Sequence, residues 1–309
     1  MNEFNRQSSG VYLIAVTPFH LDGSLDLESA DTMVDFYLKC GVTGLTILGI
    51  MGEAPKLTAN ESKVFVKRVL DRVAGKVPVV VGASSNGFAA MKELTLSVME
   101  MGAAGVMIAP PSNLRTDDQI LAYFDGVNTV LDTTPWCLQD HPVSTGVQMS
   151  ASVILNILKK SPYCVMLKHE DCPGLNKLSI IKKAISNHDI EGISILTGNG
   201  GGLFLTEEMI RGADGAMTGF AYPEMMVDVC QLFSENKIEQ ACDVFDAYLP
   251  LAKYEQQNNI GLAVRKYIMA KRGVIASAAI RAPGPKLSPA DIADIERLIT
   301  RQEKRLKEL

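Results

Sequence analysis

The chain has 309 residues, of which 47% are hydrophobic, so it can bury the core of one large α/β domain or of two average ones. Its formal charge of −5 arises from mixed signs spread along the sequence, and no basic cluster favours nucleic acid or an anionic membrane as a partner. No uncharged apolar run approaches the ~20 residues of a membrane span, and the polar N-terminus lacks the apolar core of a signal peptide. We therefore expect a cytoplasmic protein without a nucleic-acid or membrane partner.

The cysteines and histidines give no sign of a metal site. The six cysteines are scattered, and none forms a Cys-x-x-Cys pair. This pattern is typical of reduced thiols in a cytosol rather than of a disulfide framework or a zinc site. The four histidines lack the spacing of metal ligands. We predict no metal and no cofactor.

Short apolar runs of strand length alternate with longer segments of helical period. Nearly continuous hydrophobicity is typical of parallel strands that are covered on both faces. The predicted strands are Tyr12–Thr17, Leu45–Leu48, Val77–Val81, Gly105–Ala109, Trp136–Gln139, Cys164–Lys168, Ile193–Thr197 and Gly215–Thr218. The predicted helices between them are Leu27–Cys40, Asn60–Ala74, Ala89–Met101, Asp117–Leu131, Ala151–Lys160, Lys177–Ser186 and Gly202–Arg211.

Two of these helices have a readable start. Thr58 with Glu61, and Thr116 with Gln119, have the spacing of capping boxes, which satisfy free amide donors in the first turn.

Eight βα units in about 220 residues fit a (β/α)₈ TIM barrel, whose usual size is ~250 residues. An open doubly wound sheet is the alternative, but the glycines of the segment 198–202 lack the G-x-G-x-x-G spacing of a dinucleotide site. We expect residues 1–222 to form the barrel core through strand eight, and residues 223–309 to add the eighth barrel helix and a C-terminal helical extension within the same domain. The helices predicted in this extension are Lys237–Asn258, Ile260–Arg272 and Pro289–Lys307.

In such a barrel the active site lies at the carboxyl ends of the strands. Among the predicted strand ends, only that of strand six is a lysine, Lys168. A lysine is almost never buried unless it is paired or has a function, and a neutral amine is a nucleophile toward carbonyl carbon. The alternative is a surface lysine that merely closes a strand.

The loop after strand two favours the first interpretation. Its glycines let successive backbone amides point at a carboxylate without the help of a side chain. A lysine that faces a carboxylate-binding loop is the arrangement needed to form an imine with a 2-keto acid. The residues of this loop are Gly49, Ile50, Met51, Gly52 and Glu53.

The sequence resembles the dihydrodipicolinate synthase and N-acetylneuraminate lyase family over nearly its whole length. The segments that carry the resemblance are Ala15–Phe19, the Gly49–Glu53 loop, the strand that ends at Lys168, the Pro142 turn with Gly146, and Gly215–Gly219. The resemblance implies a Schiff-base (β/α)₈ barrel that acts on pyruvate or on 2-keto-3-deoxy sugar acids. It also implies that Lys168 forms the imine, that the loop holds the keto-acid carboxylate, and that the protein is a homo-oligomer, either a dimer or a tetramer.

The sequence departs from the synthase subgroup at four positions of its pattern. Ile50 and Met51 stand where the subgroup has two threonines. Gln139 stands in place of its catalytic tyrosine, and Ser144 in place of the arginine that would face a second substrate carboxylate. These departures argue against condensation of the dihydrodipicolinate synthase type, which stays an alternative.

Within the family, the sequence most resembles the L-2-keto-3-deoxyarabonate dehydratase group. The shared features near the site are Gln139 and Asp140 before Pro142, and Glu170 two residues after Lys168. Dehydration would remove a proton from carbon 3 of the imine and expel the hydroxyl on carbon 4, once a general acid protonates it. An aldolase would instead deprotonate that hydroxyl, break the bond between carbons 3 and 4, and release pyruvate. Both reactions need the lysine, so it does not separate them.

We favour Glu170 as the acid/base because side chains alternate along a strand, so that Lys168 and Glu170 face one side and His169 the other. Glu170 could instead only pair with the lysine, and Gln139 could orient a water or the substrate. Asp140 could contact substrate or only cap the following turn, and Thr17 could contact substrate or only close its own turn. Further predicted substrate contacts at the strand ends are Gly198, Asn199, Thr218 and Gly219.

A protein of another class also fits: a barrel that binds a sugar acid without turning it over. It would explain the missing tyrosine and threonines. The retained lysine argues against it, because an unneeded amine at a barrel mouth costs desolvation energy.

Overall fold

The computed structural model describes residues 3–198 and 202–309. Within these residues eight parallel strands close into one barrel in chain order, so the predicted (β/α)₈ fold is confirmed. The strands are β1 Gly10–Ile14, β2 Gly44–Ile47, β3 Val79–Gly82, β4 Gly105–Ile108, β5 Trp136–Asp140, β6 Cys164–His169, β7 Ser194–Thr197 and β8 Gly215–Ala216.

Helices cover the outside of the barrel and form the C-terminal extension. In the described part of the chain they are α1 Leu27–Lys39, α2 Ala59–Val73, α3 Phe88–Glu100, α4 Asp117–Leu131, α5 Pro142–Thr145, α6 Ala151–Lys160, α7 Leu175–Ser186, α8 Leu205–Ile210, α9 Pro223–Ser234, α10 Ile238–Glu255, α11 Gly261–Lys271 and α12 Pro289–Leu306. Both predicted capping boxes are formed, at the starts of α2 and α4. No helix within the described residues has the length and apolar character needed to cross a bilayer. The division of the domain at residues 222 and 223 stays a proposal.

The predicted boundaries differ from the observed ones where backbone pairing, rather than hydrophobicity, decides. Strand one was expected at Tyr12–Thr17, but β1 begins at Gly10, which pairs with Gly215 of β8, and ends at Ile14. The short helix α5 was not predicted, because four residues are too few to show a helical period.

Successive strands each contribute an inward-facing apolar side chain to the interior of the barrel. This inner cluster includes Met107 on β4, Cys137 on β5, Met166 on β6 and Leu196 on β7. Side chains alternate across a strand, so residues two positions further along β5 and β6 face the interior as well. That rule places Gln139 and Lys168 inside the mouth of the barrel, at the carboxyl ends of their strands.

The C-terminal extension is fastened to the barrel mouth by a fully buried lysine on α11. Lys266 Nζ lies 2.6 Å from Glu53 Oε1 and donates to the carbonyl oxygens of Thr17 at 2.8 Å and Ala279 at 2.9 Å. It also lies over the ring of Phe19, 4.6 Å from the centroid. One ammonium group therefore joins the first two strand-end loops to the extension.

Replacing this lysine should destabilise the protein strongly. Lys266→Met would leave the buried Glu53 carboxylate with Lys56 as its remaining basic partner, and breaking a buried pair in this way costs about 3 kcal/mol. We expect a loss of that size in the free energy of unfolding, measured by denaturant titration. Lys67→Met, which breaks the exposed pair with Asp71, is the control and should change it by about 0.5 kcal/mol or less. Equal effects of the two substitutions would contradict the role given to Lys266.

Candidate active site

Lys168 lies near the end of β6 and its amine is enclosed in the barrel mouth. The residue is 5% exposed, and Nζ lies 2.9 Å from Glu170 Oε1. The neighbouring strand residues in register with it are Gln139 on β5 and Leu196 on β7. A surface lysine that merely closes a strand would be exposed, so this geometry disagrees with that alternative.

Glu170 connects the lysine to the neighbouring strand β5. Its Oε1 atom also accepts a hydrogen bond of 2.7 Å from Gln139 Nε2. Gly198, which follows β7, makes room for this carboxylate, because a Cβ at position 198 would overlap the Glu170 side chain. Glu170 therefore contacts both of the other predicted catalytic residues, and a glycine is required beside it.

A cavity of about 670 Å³ opens above these residues, within the ~300–1,000 Å³ range of small-molecule sites. Eight of the residues predicted from the sequence line it: Ile50, Met51, Gln139, Lys168, Glu170, Gly198, Thr218 and Gly219. Five others do not line it: Thr17, Gly49, Gly52, Glu53 and Asp140. Asn199 lies outside the described residues.

The loop after β2 folds as a short 3₁₀ turn over Ile50–Gly52. The first amides of such a turn have no acceptor within the turn, so those of Ile50 and Met51 remain available to a ligand. Both residues line the cavity, on the wall made by the second strand-end loop. The arrangement can bind a carboxylate through the backbone alone.

Thr17 and Glu53 hold this loop in place from behind. Thr17 Oγ1 donates a 2.6 Å hydrogen bond to the carbonyl oxygen of Gly52. The Glu53 carboxylate is bound by Lys266 at 2.6 Å, by Lys56 at 2.9 Å and by the amide of Arg281 at 3.1 Å. Three of these four partners are distant in sequence, so the sequence carried no sign of this supporting role.

Asp140 and His169 lie on the outer side of the barrel wall, as strand alternation predicts for His169. His169 Nδ1 is 3.2 Å from Asp140 Oδ2, and Nε2 is 3.0 Å from the carbonyl oxygen of Gly174. Lys177 Nζ reaches the same Asp140 oxygen at 3.0 Å. Burial favours the neutral imidazole, but the hydrogen bond and charge of Asp140 outweigh it, and the pKa of His169 is raised. Both ring nitrogens face acceptors, which suits the charged form.

His141 lines the cavity and was missed as a site residue by the sequence reasoning. It precedes α5, and its Nδ1 lies 3.9 Å from Glu170 Oε1 without a hydrogen-bond partner in the described structure. Nε2 lies 3.5 Å from Ser144 Oγ. Burial lowers the pKa of His141 against the opposing charge of Glu170, so the ring is neutral at neutral pH. The period-two rule that selected Glu170 also selects position 141, two residues after Gln139.

The other missed part of the wall comes from the extension, between residues 255 and 265. In the sequence, a polar run at the end of a helix looks like an ordinary loop. Its neighbouring residues do not indicate that it folds close to Lys168, almost ninety residues earlier. The lining residues of this segment are Glu255, Gln256, Gln257, Asn258, Asn259, Gly261, Leu262 and Arg265. In the described part of the chain no group of three or more His, Cys, Asp or Glu side chains could hold a metal ion.

Comparison with known proteins gives matches over nearly the whole chain. Residues 7–302 match the dihydrodipicolinate synthetase family. The solved structure of a dihydrodipicolinate synthase from Rhodopseudomonas palustris is 46% identical, with a TM-score of 0.94 over 97% of this chain and 100% of that one. An L-2-keto-3-deoxyarabonate dehydratase of Azospirillum brasilense is 30% identical over 93% of this chain and 92% of its own length. A 4-hydroxy-tetrahydrodipicolinate synthase of Rickettsia canadensis is 27% identical over 94% and 96%.

The contact between His169 and Asp140 predicts a pH-dependent stability. Because the pKa of His169 is raised by folding, its imidazolium stabilises the protein fully below the unfolded value of about 6.5, and this contribution is lost as the pH rises through the folded pKa. His169→Gln should therefore lower the free energy of unfolding by about 2 kcal/mol at low pH and by clearly less at high pH. Denaturant titrations at about pH 5.5 and about pH 9 measure this difference.

The exposed His20 provides the control. His20→Gln should leave the free energy of unfolding nearly unchanged at both pH values. A loss for His169→Gln that grew with pH would contradict the charged state assigned to this imidazole.

Proposed function

This chain belongs to the dihydrodipicolinate synthetase family, and on that premise we propose that it is a lyase that forms a Schiff base between Lys168 and a 2-keto-3-deoxy sugar acid. The observation that carries the proposal is the enclosed amine of Lys168, 2.9 Å from the Glu170 carboxylate, in a cavity that is also lined by Ile50 and Met51 of the loop after β2. The favoured reaction is dehydration, and aldol cleavage is the alternative.

In the first step Glu170 accepts a proton from Lys168, the amine attacks the keto carbon, and Glu170 returns the proton to the departing hydroxyl, so that water leaves and a protonated imine remains. The amides of Ile50 and Met51 hold the carboxylate next to that carbon. Binding the acid at two points fixes carbon 3 near Glu170, whose carboxylate lies beside the amine.

In the second step Glu170 takes a proton from carbon 3, and the electrons flow into the imine to give an enamine. The enamine expels the hydroxyl on carbon 4, which leaves as water after protonation. The proton that Glu170 has taken up can return to this hydroxyl directly or through His141, whose Nδ1 lies 3.9 Å away. A neutral imidazole can accept and then release a proton, so His141 fits such a relay.

The residues of the cavity support dehydration over condensation of the synthase type. The relatives include both a dehydratase and synthases, so the choice between the two reactions rests on the site. Gln139 replaces the tyrosine that the resemblance implies for a synthase, and it is committed to Glu170. Ser144 leaves no free cation at the position of the arginine. Among the described lining residues the cations are Lys168 and Arg265, each paired with a carboxylate.

The proposal includes a 2-keto acid substrate as the partner and a homo-oligomer, dimer or tetramer, as the assembly. The alternative is a barrel that binds a sugar acid without turning it over, and the absence of a Lys168 adduct would favour it.

Borohydride trapping tests the imine. Incubation with pyruvate and borohydride should add a reduced pyruvate adduct to the peptide that contains Lys168, as read by mass spectrometry. Lys168→Ala should abolish the adduct and lower turnover of the substrate about a thousandfold or more, because the covalent step is lost. Lys182→Ala, which removes a partly exposed lysine outside the cavity, is the matched control. If the wild-type protein formed no adduct, the hypothesis that it is a Schiff-base enzyme would be wrong.

A panel of 2-keto-3-deoxy acids then separates the reactions. A semialdehyde product indicates dehydration, whereas pyruvate with an aldehyde indicates aldol cleavage.

His141→Asn should slow turnover about a hundredfold while leaving the yield of trapped imine unchanged, because a proton relay acts after the imine forms. Since burial lowers the pKa of His141, the wild-type rate should fall on the acid side only below the ordinary histidine value of about 6.5. That acid limb should vanish in the variant. Measurement of kcat against pH, with imine trapping in parallel, provides the test. If the imine were lost together with turnover, the substitution would have damaged the site as a whole.

A further inference from the structure

Two buried hydrogen-bond donors on the extension side of the cavity have no partner in the described structure. They are Nε2 of Gln256 and Nη1 of Arg265, and both residues line the cavity. A buried donor left without an acceptor costs about 1–3 kcal/mol. Two such donors on one wall of the same cavity indicate that an acceptor belongs between them.

Arg265 is fixed so that only one of its nitrogens is free for this purpose. The residue is 2% exposed, Nε donates to Glu255 Oε1 at 2.6 Å, and Nη2 donates to the carbonyl oxygen of Gly219. Glu255 and the Gly219 carbonyl explain two of the three guanidinium nitrogens, but neither explains the burial of Nη1.

Gly219 shows where that nitrogen lies. Position 219 comes two residues after the inward-facing Met217, so a side chain there would point into the barrel mouth. A Cβ at this position would overlap Arg265 Nη1 and crowd the carbonyl oxygen of Ile14. The guanidinium therefore occupies the space inside the mouth that a side chain at position 219 would fill.

We propose that Gln256 and Arg265 form a distal subsite that binds the hydroxyl-bearing tail of the substrate. This inference rests on the proposed function and names the substrate class: a 2-keto-3-deoxy acid with at least one hydroxyl beyond the reacting carbons. The carboxylate end binds at the Ile50 and Met51 amides, and the tail extends across the cavity to the extension.

The charges of the subsite favour hydroxyls over a second carboxylate. The Glu255 carboxylate neutralises Arg265, so the pair as a whole carries no net charge to attract an anion. A second carboxylate would also face Glu255 and Glu170 at close range. A hydroxyl oxygen has two lone pairs, so it can accept from Arg265 Nη1 and from Gln256 Nε2 at the same time.

The test compares two acids that cannot form an imine and so report the subsite alone. Pentonate carries the carboxylate and the hydroxyl tail, whereas lactate carries only the short end. Calorimetry should give a Kd for pentonate that rises about tenfold in Gln256→Met and in Arg265→Lys, with the Kd for lactate unchanged within about twofold. Gln231→Met on α9, whose amide binds Glu235 outside the cavity, is the matched control and should change neither.

Three outcomes would overturn the subsite: wild-type protein that binds pentonate no more tightly than lactate, variants that weaken both acids equally, or a stronger preference for a dicarboxylate such as glucarate. If Arg265→Lys does not fold, Gln256→Met decides, since its side chain carries no ion pair. These results are independent of the test of the proposed function, because pyruvate has no hydroxyl-bearing tail and its adduct on Lys168 does not need the distal subsite.

Discussion

Closure of eight parallel strands into a barrel is the constraint on which the rest of the structure depends. Because side chains alternate along each strand, closure sends Gln139, Lys168 and Glu170 to the inside and Asp140 and His169 to the outside. Glu170 lies 2.9 Å from Lys168 and 2.7 Å from Gln139, above the layer of apolar side chains that fills the barrel interior. The outer two form a buried polar contact of their own, so the site is supported from both sides of the same two strands.

The mouth of the barrel is completed by the extension, which acts through buried charge pairs. Lys266 with Glu53 positions the loop that would bind a carboxylate, and Arg265 with Glu255 positions the opposite wall. Both cations are neighbours on α11, so one helix orients two sides of the cavity. An ion pair of this kind adds little net stability but specifies one arrangement, since misplacing either partner leaves an unpaired buried charge.

In the folded site, the departures from the synthase pattern are all compatible with acid/base chemistry at Glu170 and His141 in place of the missing tyrosine. The Gln139 amide does not ionise and so cannot replace the tyrosine as an acid or base, but its hydrogen bond holds the Glu170 carboxylate that takes this role in the proposed reaction. His141 adds a second titratable group within 3.9 Å of that carboxylate. In the proposed reaction the proton transfers therefore take place at the ends of β5 and β6, beside the amine.

Short-range patterns in the sequence were enough to predict the fold, the strand order and the shared inward orientation of Lys168 and Glu170: apolar runs, period-two alternation and a lysine at one strand end. The sequence could not assign Thr17 and Glu53, whose behaviour depends mainly on partners elsewhere in the chain, such as Gly52 and Lys266. It also gave no sign of Gln256 and Arg265, since the chain must fold over the mouth before they approach Lys168. Which polar residues face the cavity and which only support it depends on the folded chain, because burial and pairing of a charge are properties of the assembled protein rather than of any local segment.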